Sequence, residues 1–256
     1  MPIDETQYLQ TDGGRLAYRV TQGDRDKATL VWMSGLRSDM LGGKASLLHA
    51  AALADNRSCL RFDYRGHGQS DVDFKDTVLS HWREDALTMI DSLTEGPLVL
   101  IGSSMGGCVA LLSAMARPER VKGMVLIAPA PDFTDLFWDN LPADSRQQIE
   151  EVGFWMRPSE YEDPYPITRE LIEDGRLWRI MDKPIALDIP IHILQGRLDD
   201  AVPWDYSQKL VEQITSDEIC FTLIKDGDHR LSRPQDLALL RRTTEALARK
   251  VDRRQA

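Results

Sequence analysis

The chain has 256 residues, 42% of them hydrophobic, with 31 Lys and Arg against 41 Asp and Glu for a formal charge of −10. That is enough apolar side chain to bury a sizeable core in one α/β domain and too much for a disordered polypeptide, while the acidic balance disfavours nucleic-acid backbones and anionic lipid as partners. The longest apolar runs, 97–101 and 124–128, fall far short of the roughly 18 to 20 residues of a membrane span, and the opening MPIDETQYLQ resembles neither a secretory nor a mitochondrial leader, so a cytoplasmic protein without a membrane span is expected.

In chain order, Tyr8-Leu9 and Leu16 to Val20 flank the turn signal Asp12-Gly13-Gly14, which predicts an opening hairpin. Compact apolar runs ending in turn residues follow at 29–33, 59–63, 98–102, 123–127, 191–195 and 220–225 and predict parallel strands. Between them, apolar spacing of three and four predicts helices over 79–93, 106–116, 204–214 and 236–252. This alternation specifies an α/β fold, a mostly parallel central sheet flanked by helices in a single domain over 1–256. One stretch, 131–189, breaks the rhythm: Phe133, Phe137, Trp138, Phe154, Trp155, Tyr161, Tyr165 and Trp178 lie among prolines and acids with no convincing strand. Short helices and loops resting on the sheet as a lid are expected there. The basic residues of the last helix, Arg241 to Arg254, complement its C-terminal dipole. The three cysteines, Cys59, Cys108 and Cys220, are widely spaced in apolar segments and read as reduced core thiols. The histidines are scattered without ligand spacing, so neither a metal nor any other cofactor is expected.

The strongest chemical signal is Gly102-Ser103-Ser104-Met105-Gly106, set between an apolar strand and a helical segment. G-x-S-x-G in that context is a nucleophile elbow: the chain turns sharply with a strained serine at its apex, and small neighbours avoid the clash. With 17 glycines and about 15 serines in 256 residues, chance yields only about 0.07 such patterns. A serine needs a base and a group to orient that base. The elbow architecture places them later in the chain in the order acid, then histidine, on loops after strands. Of the five histidines, His49 and His81 lie on predicted helices, His192 in a strand and His67 in a Gly-His-Gly turn; only His229, in Asp226-Gly227-Asp228-His229-Arg230, follows a late strand. The acid is Asp199 or its neighbour Asp200. Two backbone N–H groups are expected to hold the oxyanion: that of Met105, and Leu36 or alternatively Gly35 from the loop after the strand at 29–33. The charged and glycine residues of 61–70 are expected to brace that loop rather than react.

These motifs, with D-x-R-G-x-G-x-S at 63–70 and G-x-x-D-x-x-V-P at 196–203, resemble the α/β-hydrolase superfamily. Residues 38–45, 82–85, 116–121 and Pro158-Ser159-Glu160-Tyr161 are similar to its branch of palmitoyl-protein thioesterases that also hydrolyse acyl glucuronides. The resemblance implies Ser104 as nucleophile and Asp199 and His229 as its partners. It implies a cofactor-independent serine hydrolase of esters or thioesters, acting on a small molecule or an acylated protein. Ser34 departs from the pattern, standing where many superfamily members have His. Amide or carbon–carbon bond hydrolysis on the same residues, and a ligand-binding protein that lost catalysis, are the rival expectations. A dehalogenase is disfavoured because that chemistry wants a carboxylate nucleophile at the elbow, and position 104 is Ser.

Overall fold

A computed structural model describes residues 5–158 and 163–255. Strands β1 (Gln7–Thr11) and β2 (Gly14–Thr21) form the expected antiparallel hairpin around Asp12-Gly13. The chain then runs through β3 (Thr29–Met33), α1 (Gly43–Ala54), β4 (Cys59–Phe62), α2 (Leu79–Leu93), β5 (Leu98–Ser103), α3 (Met105–Ala116) and β6 (Val121–Ile127). Helices α4 (Phe133–Asn140) and α5 (Ala143–Val152), strands β7 (Phe154–Arg157) and β8 (Tyr165–Thr168) and helix α6 (Arg169–Gly175) lie between β6 and β9 (Ile191–Gly196). The last elements are α7 (Trp204–Gln213), β10 (Ile219–Ile224) and α8 (Pro234–Gln255).

The main sheet has eight strands in the order β1-β2-β4-β3-β5-β6-β9-β10. Every pair from β4 to β10 is parallel, and only β1–β2 and β2–β4 run antiparallel. β3 and β5 read as nearly continuous apolar runs, and β4 is buried throughout despite Arg61, because helices bury both faces of a parallel sheet. One core lies between the sheet and α2, α3 and α7, around Trp82, Met89, Leu100, Cys108 and Leu126. The other lies between the sheet and α1 and α8, around Leu30, Leu48, Val99, Leu247 and Val251.

Two expectations need correction. The β6–β9 connection contains a hairpin, Phe154–Arg157 paired antiparallel with Tyr165–Thr168; four-residue strands of mixed exposure are too short to carry a period-2 signal. Cys59 and Cys108 are buried as expected, but Cys220 is exposed, because β10 is the edge strand. Helix α1 carries His49 as expected, and its run of alanines supplies helix propensity rather than amphipathicity. Tyr161, with the Ser159-Glu160-Tyr161 part of the Pro-Ser-Glu-Tyr motif, lies outside the described residues. No described helix is long and apolar enough to cross a membrane.

Candidate active site

The parallel strands deliver their C-terminal ends to one edge of the sheet, where the loops after β3, β5, β9 and β10 meet. At the end of β5, Ser104 has φ +55° and ψ −120°, a conformation costly for a residue with a side chain. The bend brings β5 so close to α3 that a Cβ on Gly102 would lie 2.3 Å from Gly106 O, and one on Gly106 would lie 2.2 Å from Met33 O. No side chain fits at either position, which is the physical content of the glycine pattern. The strained backbone is held from outside: Ser104 N–H donates to Ile127 O at 2.9 Å, and Ala130 N–H donates to Ser104 O at 3.1 Å.

His229 Nε2 lies 3.1 Å from Ser104 Oγ, and its Nδ1 lies 2.8 Å from Asp199 Oδ2. The hydrogen-bond network fixes the tautomer. Nδ1–H donates to the carboxylate, and the Nε2 lone pair faces the serine hydroxyl. The Asp199 side chain is fully buried, whereas the His229 side chain keeps 26% of its surface exposed. Burial of the acid is made tolerable by donors: Oδ1 accepts Ala201 N–H at 3.0 Å and Val202 N–H at 2.8 Å, and Oδ2 also accepts Gln195 Nε2 at 2.9 Å. Asp200, the sequence's alternative, is exposed. The structure therefore brings Ser104, His229 and Asp199 into one hydrogen-bonded chain and leaves Asp200 outside it.

The two loops carrying Asp199 and His229 are tied to each other. Arg197 N–H donates to Ile224 O at 2.9 Å and Leu198 N–H to Gly227 O at 2.8 Å. Gln195 is a site residue that sequence reasoning does not single out. Besides Asp199, it donates to Val202 O at 3.1 Å and accepts the Ser207 hydroxyl at 2.7 Å. Its only sequence signal is a polar residue ending an apolar strand.

Met105 opens α3, so its N–H belongs to the first helical turn, which has no intrahelical acceptor. The loop after β3 approaches from the other side: a Cβ on Gly35 would lie 3.5 Å from Ser104 Cβ, which puts Gly35 and Leu36 beside the elbow. Residues 61–70 brace this loop as expected. Arg61 Nη1 donates to Met40 O at 3.2 Å, and Asp63 Oδ1 accepts Met40 N–H at 2.7 Å, so the peptide groups on both sides of Met40, in the loop after β3, are held. Asp63 Oδ2 accepts Gln69 N–H at 2.9 Å. Burial raises the Asp63 carboxyl to about 6 despite these donors. Arg65 clasps the buried Asp85 through Nε at 2.8 Å and Nη2 at 2.5 Å.

The other histidines stand apart from Ser104. His67 is buried edge-on among Tyr64, Phe74 and Trp82, and burial pushes its pKa down to about 4. His49 meets Thr21 and Arg61 in the core, His81 lies in the first turn of α2, and His192 lies in β9. Among the described residues no group of three His, Cys, Asp or Glu side chains is gathered in a way that could hold a metal ion. Facing the loop after β3, the β6–β9 connection places Tyr165 5.7 Å from the Arg37 guanidinium and the same distance from Phe74.

The alpha/beta hydrolase family matches residues 30–239. The protein from Homo sapiens named palmitoyl-protein thioesterase ABHD10, mitochondrial, is 34% identical over 238 residues, covering 92% of this chain and 77% of its own. Among solved structures, a putative hydrolase from Agrobacterium vitis S4 superposes with a TM-score of 0.91 at 41% identity, covering 95% of this chain and 98% of that one. Alpha/beta hydrolase domain-containing protein 10 from mouse gives 0.89 at 31% identity, covering 96% and 99%.

Proposed function

Because this chain belongs to the alpha/beta hydrolase family, we propose that it cleaves carboxylic esters or thioesters through an acyl-enzyme on Ser104. The observation that carries this reading is the hydrogen-bonded chain from Asp199 through His229 to Ser104 Oγ. In the first half-reaction Oγ attacks the acyl carbonyl carbon while its proton passes to His229 Nε2. The carbonyl π pair moves onto oxygen, where the N–H groups of Leu36 and Met105 stabilise it. Asp199 holds Nδ1–H and stabilises the imidazolium. Collapse of the tetrahedral adduct breaks the bond to the alcohol or thiol oxygen or sulfur, which leaves with the proton from Nε2. Water then repeats the sequence on the acyl-serine and releases a carboxylic acid, restoring the hydroxyl. No cofactor takes part.

The acyl group is apolar on this reading. The β6–β9 connection acts as a cap, its Phe133 stacked on Trp82 and its Tyr165 edge-on to Phe74, and aromatic surface favours aliphatic chains by about 25 cal/mol per Å² of apolar area removed from water. The name of the ABHD10 relatives supports a long-chain acyl thioester, on a small molecule or a protein, as the substrate class. We place the enzyme in the cytoplasm; those relatives are named mitochondrial, and fractionation of native cells distinguishes the two locations.

The test is fluorophosphonate labelling beside hydrolysis of short-chain and long-chain nitrophenyl esters and acyl thioesters. Wild type is expected to label and turn over; Ser104→Ala is expected to lose labelling and at least about 10³-fold in kcat while melting at the wild-type temperature. A folded wild-type protein that neither labels nor hydrolyses any of these would sink the proposal and favour a ligand-binding protein on the same fold.

A further inference from the structure

The two edges of the central sheet are built differently. At one edge, β1 carries Gln7, Gln10 and Thr11 over five residues. At the other, β10 is Ile-Cys-Phe-Thr-Leu-Ile, six residues with neither a charge nor a proline, pairing with β9 without a register shift. Cys220 and Leu223 are exposed on it, and the other four residues are half-buried. Open edges present unpaired N–H and C=O groups to any other strand, and monomeric proteins blunt them with charges, prolines, bulges or a cover. Strand β10 has none of the first three.

The backbone of β10 states which groups are on offer. Ile191 N–H donates to Glu218 O and Arg197 N–H to Ile224 O at the two ends of the β9 ladder. The even-numbered residues of β10 therefore turn their backbone groups to β9, and Ile219, Phe221 and Leu223 turn theirs outward. A symmetric pair must match outward residues with outward residues about a two-fold axis perpendicular to the sheet. Centred on Phe221, such a pairing sets Phe221 opposite itself and Ile219 opposite Leu223, and brings the exposed Asp217, in the bend before β10, toward the exposed Lys225, in the turn after it, at both ends. Shifting the centre to Thr222 loses this complementarity, because Glu218 then faces Asp226. The backbone pattern admits both registers, and charge favours the one centred on Phe221.

We propose that the chain forms a two-fold symmetric dimer in which β10 pairs antiparallel with β10 of a second copy, centred on Phe221, extending the eight-stranded sheet across the interface. Opposite residues Cys220 and Thr222 then form non-hydrogen-bonded pairs, whose Cα separation of about 4.5 Å suits a disulfide. The reading is independent of the catalytic proposal, since neither site residue nor substrate enters it.

Five variants test it by sedimentation equilibrium at micromolar concentration and non-reducing gels. Wild type is expected to sediment as a dimer. Thr222→Cys is expected to become a covalent dimer on mild oxidation, through the native Cys220 of the other copy, and adding Cys220→Ser is expected to abolish the cross-link. Leu223→Pro removes an N–H that points away from β9, so the monomer keeps its ladder, with circular dichroism and melting as the check, while the dimer is lost. Asp217→Lys is expected to weaken the dimer about tenfold and the added Lys225→Asp to restore it, since each opposed charge pair is exchanged twice by symmetry. A wild-type monomer overturns the proposal. So does a dimer that survives Leu223→Pro or yields no Cys220-dependent cross-link, because either places the contact on another face or in another register.

Discussion

The C-terminal edge of the sheet, which carries Ser104, and the β6–β9 connection are held in different ways. At the sheet edge, Ser104, Asp199 and His229 leave the ends of β5, β9 and β10, whose ladders fix their starting points, and main-chain bonds between loops do the rest. The connection is joined to the body through side chains: Phe133, Leu171, Ile172 and Ile180 are buried in the same core as Trp82, and polar contacts add to them. Within the connection, Asp132 accepts the N–H groups of Ile180 and Met181 at 2.9 and 3.0 Å. Ser80 donates to Asp174 at 2.5 Å and accepts Trp178 Nε1 at 2.7 Å. Arg83 lies 4.3 Å from the centre of the Trp178 ring. The difference teaches that a site needing sub-ångström placement is built on the ladder, while the neighbouring connection is held mainly by side-chain packing.

The largest effect expected from breaking the frame is at Asp199. Asp199→Asn keeps the volume but presents an amide to Nδ1, which favours the wrong imidazole tautomer. A loss of about 10⁴ in kcat is expected for the long-chain ester, with no comparable loss for Asp200→Asn. Equal losses for the two variants would contradict the assignment. Next is Asp85, fully buried beneath Arg65. Asp85→Ala leaves a guanidinium in a desolvated place and is expected to cost about 3–5 kcal/mol in urea unfolding. A cost below about 1 kcal/mol would show that the 61–70 loop is not anchored there.

His67 tests the frame through pH. Its pKa is about 4 in the folded protein against the usual 6.5. A base depressed by folding contributes stability that is fully present above about pH 6.5 and lost as the pH falls through 4, up to about 3 kcal/mol. Asp63 has the opposite sign: with its carboxyl raised to about 6 from 3.8, burial of its charge costs stability above pH 6, and that cost disappears toward pH 3.8. The two offset each other over the same window. His67→Phe keeps the aromatic packing and removes one of them, so the variant is expected to gain on wild type steadily between pH 6.5 and 4. A stability difference independent of pH would mean that the ring titrates normally.

The same contrast explains what could be read from the residues. The elbow was legible because a strained serine between two backbone contacts admits only glycine on either side, so geometry appears directly as letters. The order of acid and histidine was legible from strand ends, and the parallel core strands from their uninterrupted apolar runs. The hairpin at β7 and β8 was not, since four-residue strands with Phe154 and Met156 exposed carry no periodic signal. Nor was Gln195, whose part depends on Ser207 and Val202 reaching it through the fold. The choice between Asp199 and Asp200 came from resemblance at the level of sequence; in space it rests on which carboxylate is buried against Ala201, Val202 and Gln195.

The smallest effect is expected at Trp178, where the comparison is sharpest. Its indole bonds to Ser80 and stacks with Arg83, joining the connection to α2 without touching the residues around Ser104. If the connection is a separately pinned cap, Trp178→Ala loosens the cover and leaves the frame intact. Long-chain esters, which need the covered apolar surface, then lose severalfold in kcat/KM through KM, whereas short-chain esters and the rate of fluorophosphonate labelling change by less than about twofold. A fall in labelling equal to the fall in long-chain turnover would show that the cap also holds the nucleophile in place. The frame and its cover would then be one mechanical unit, and the ladder alone would not account for the position of Ser104.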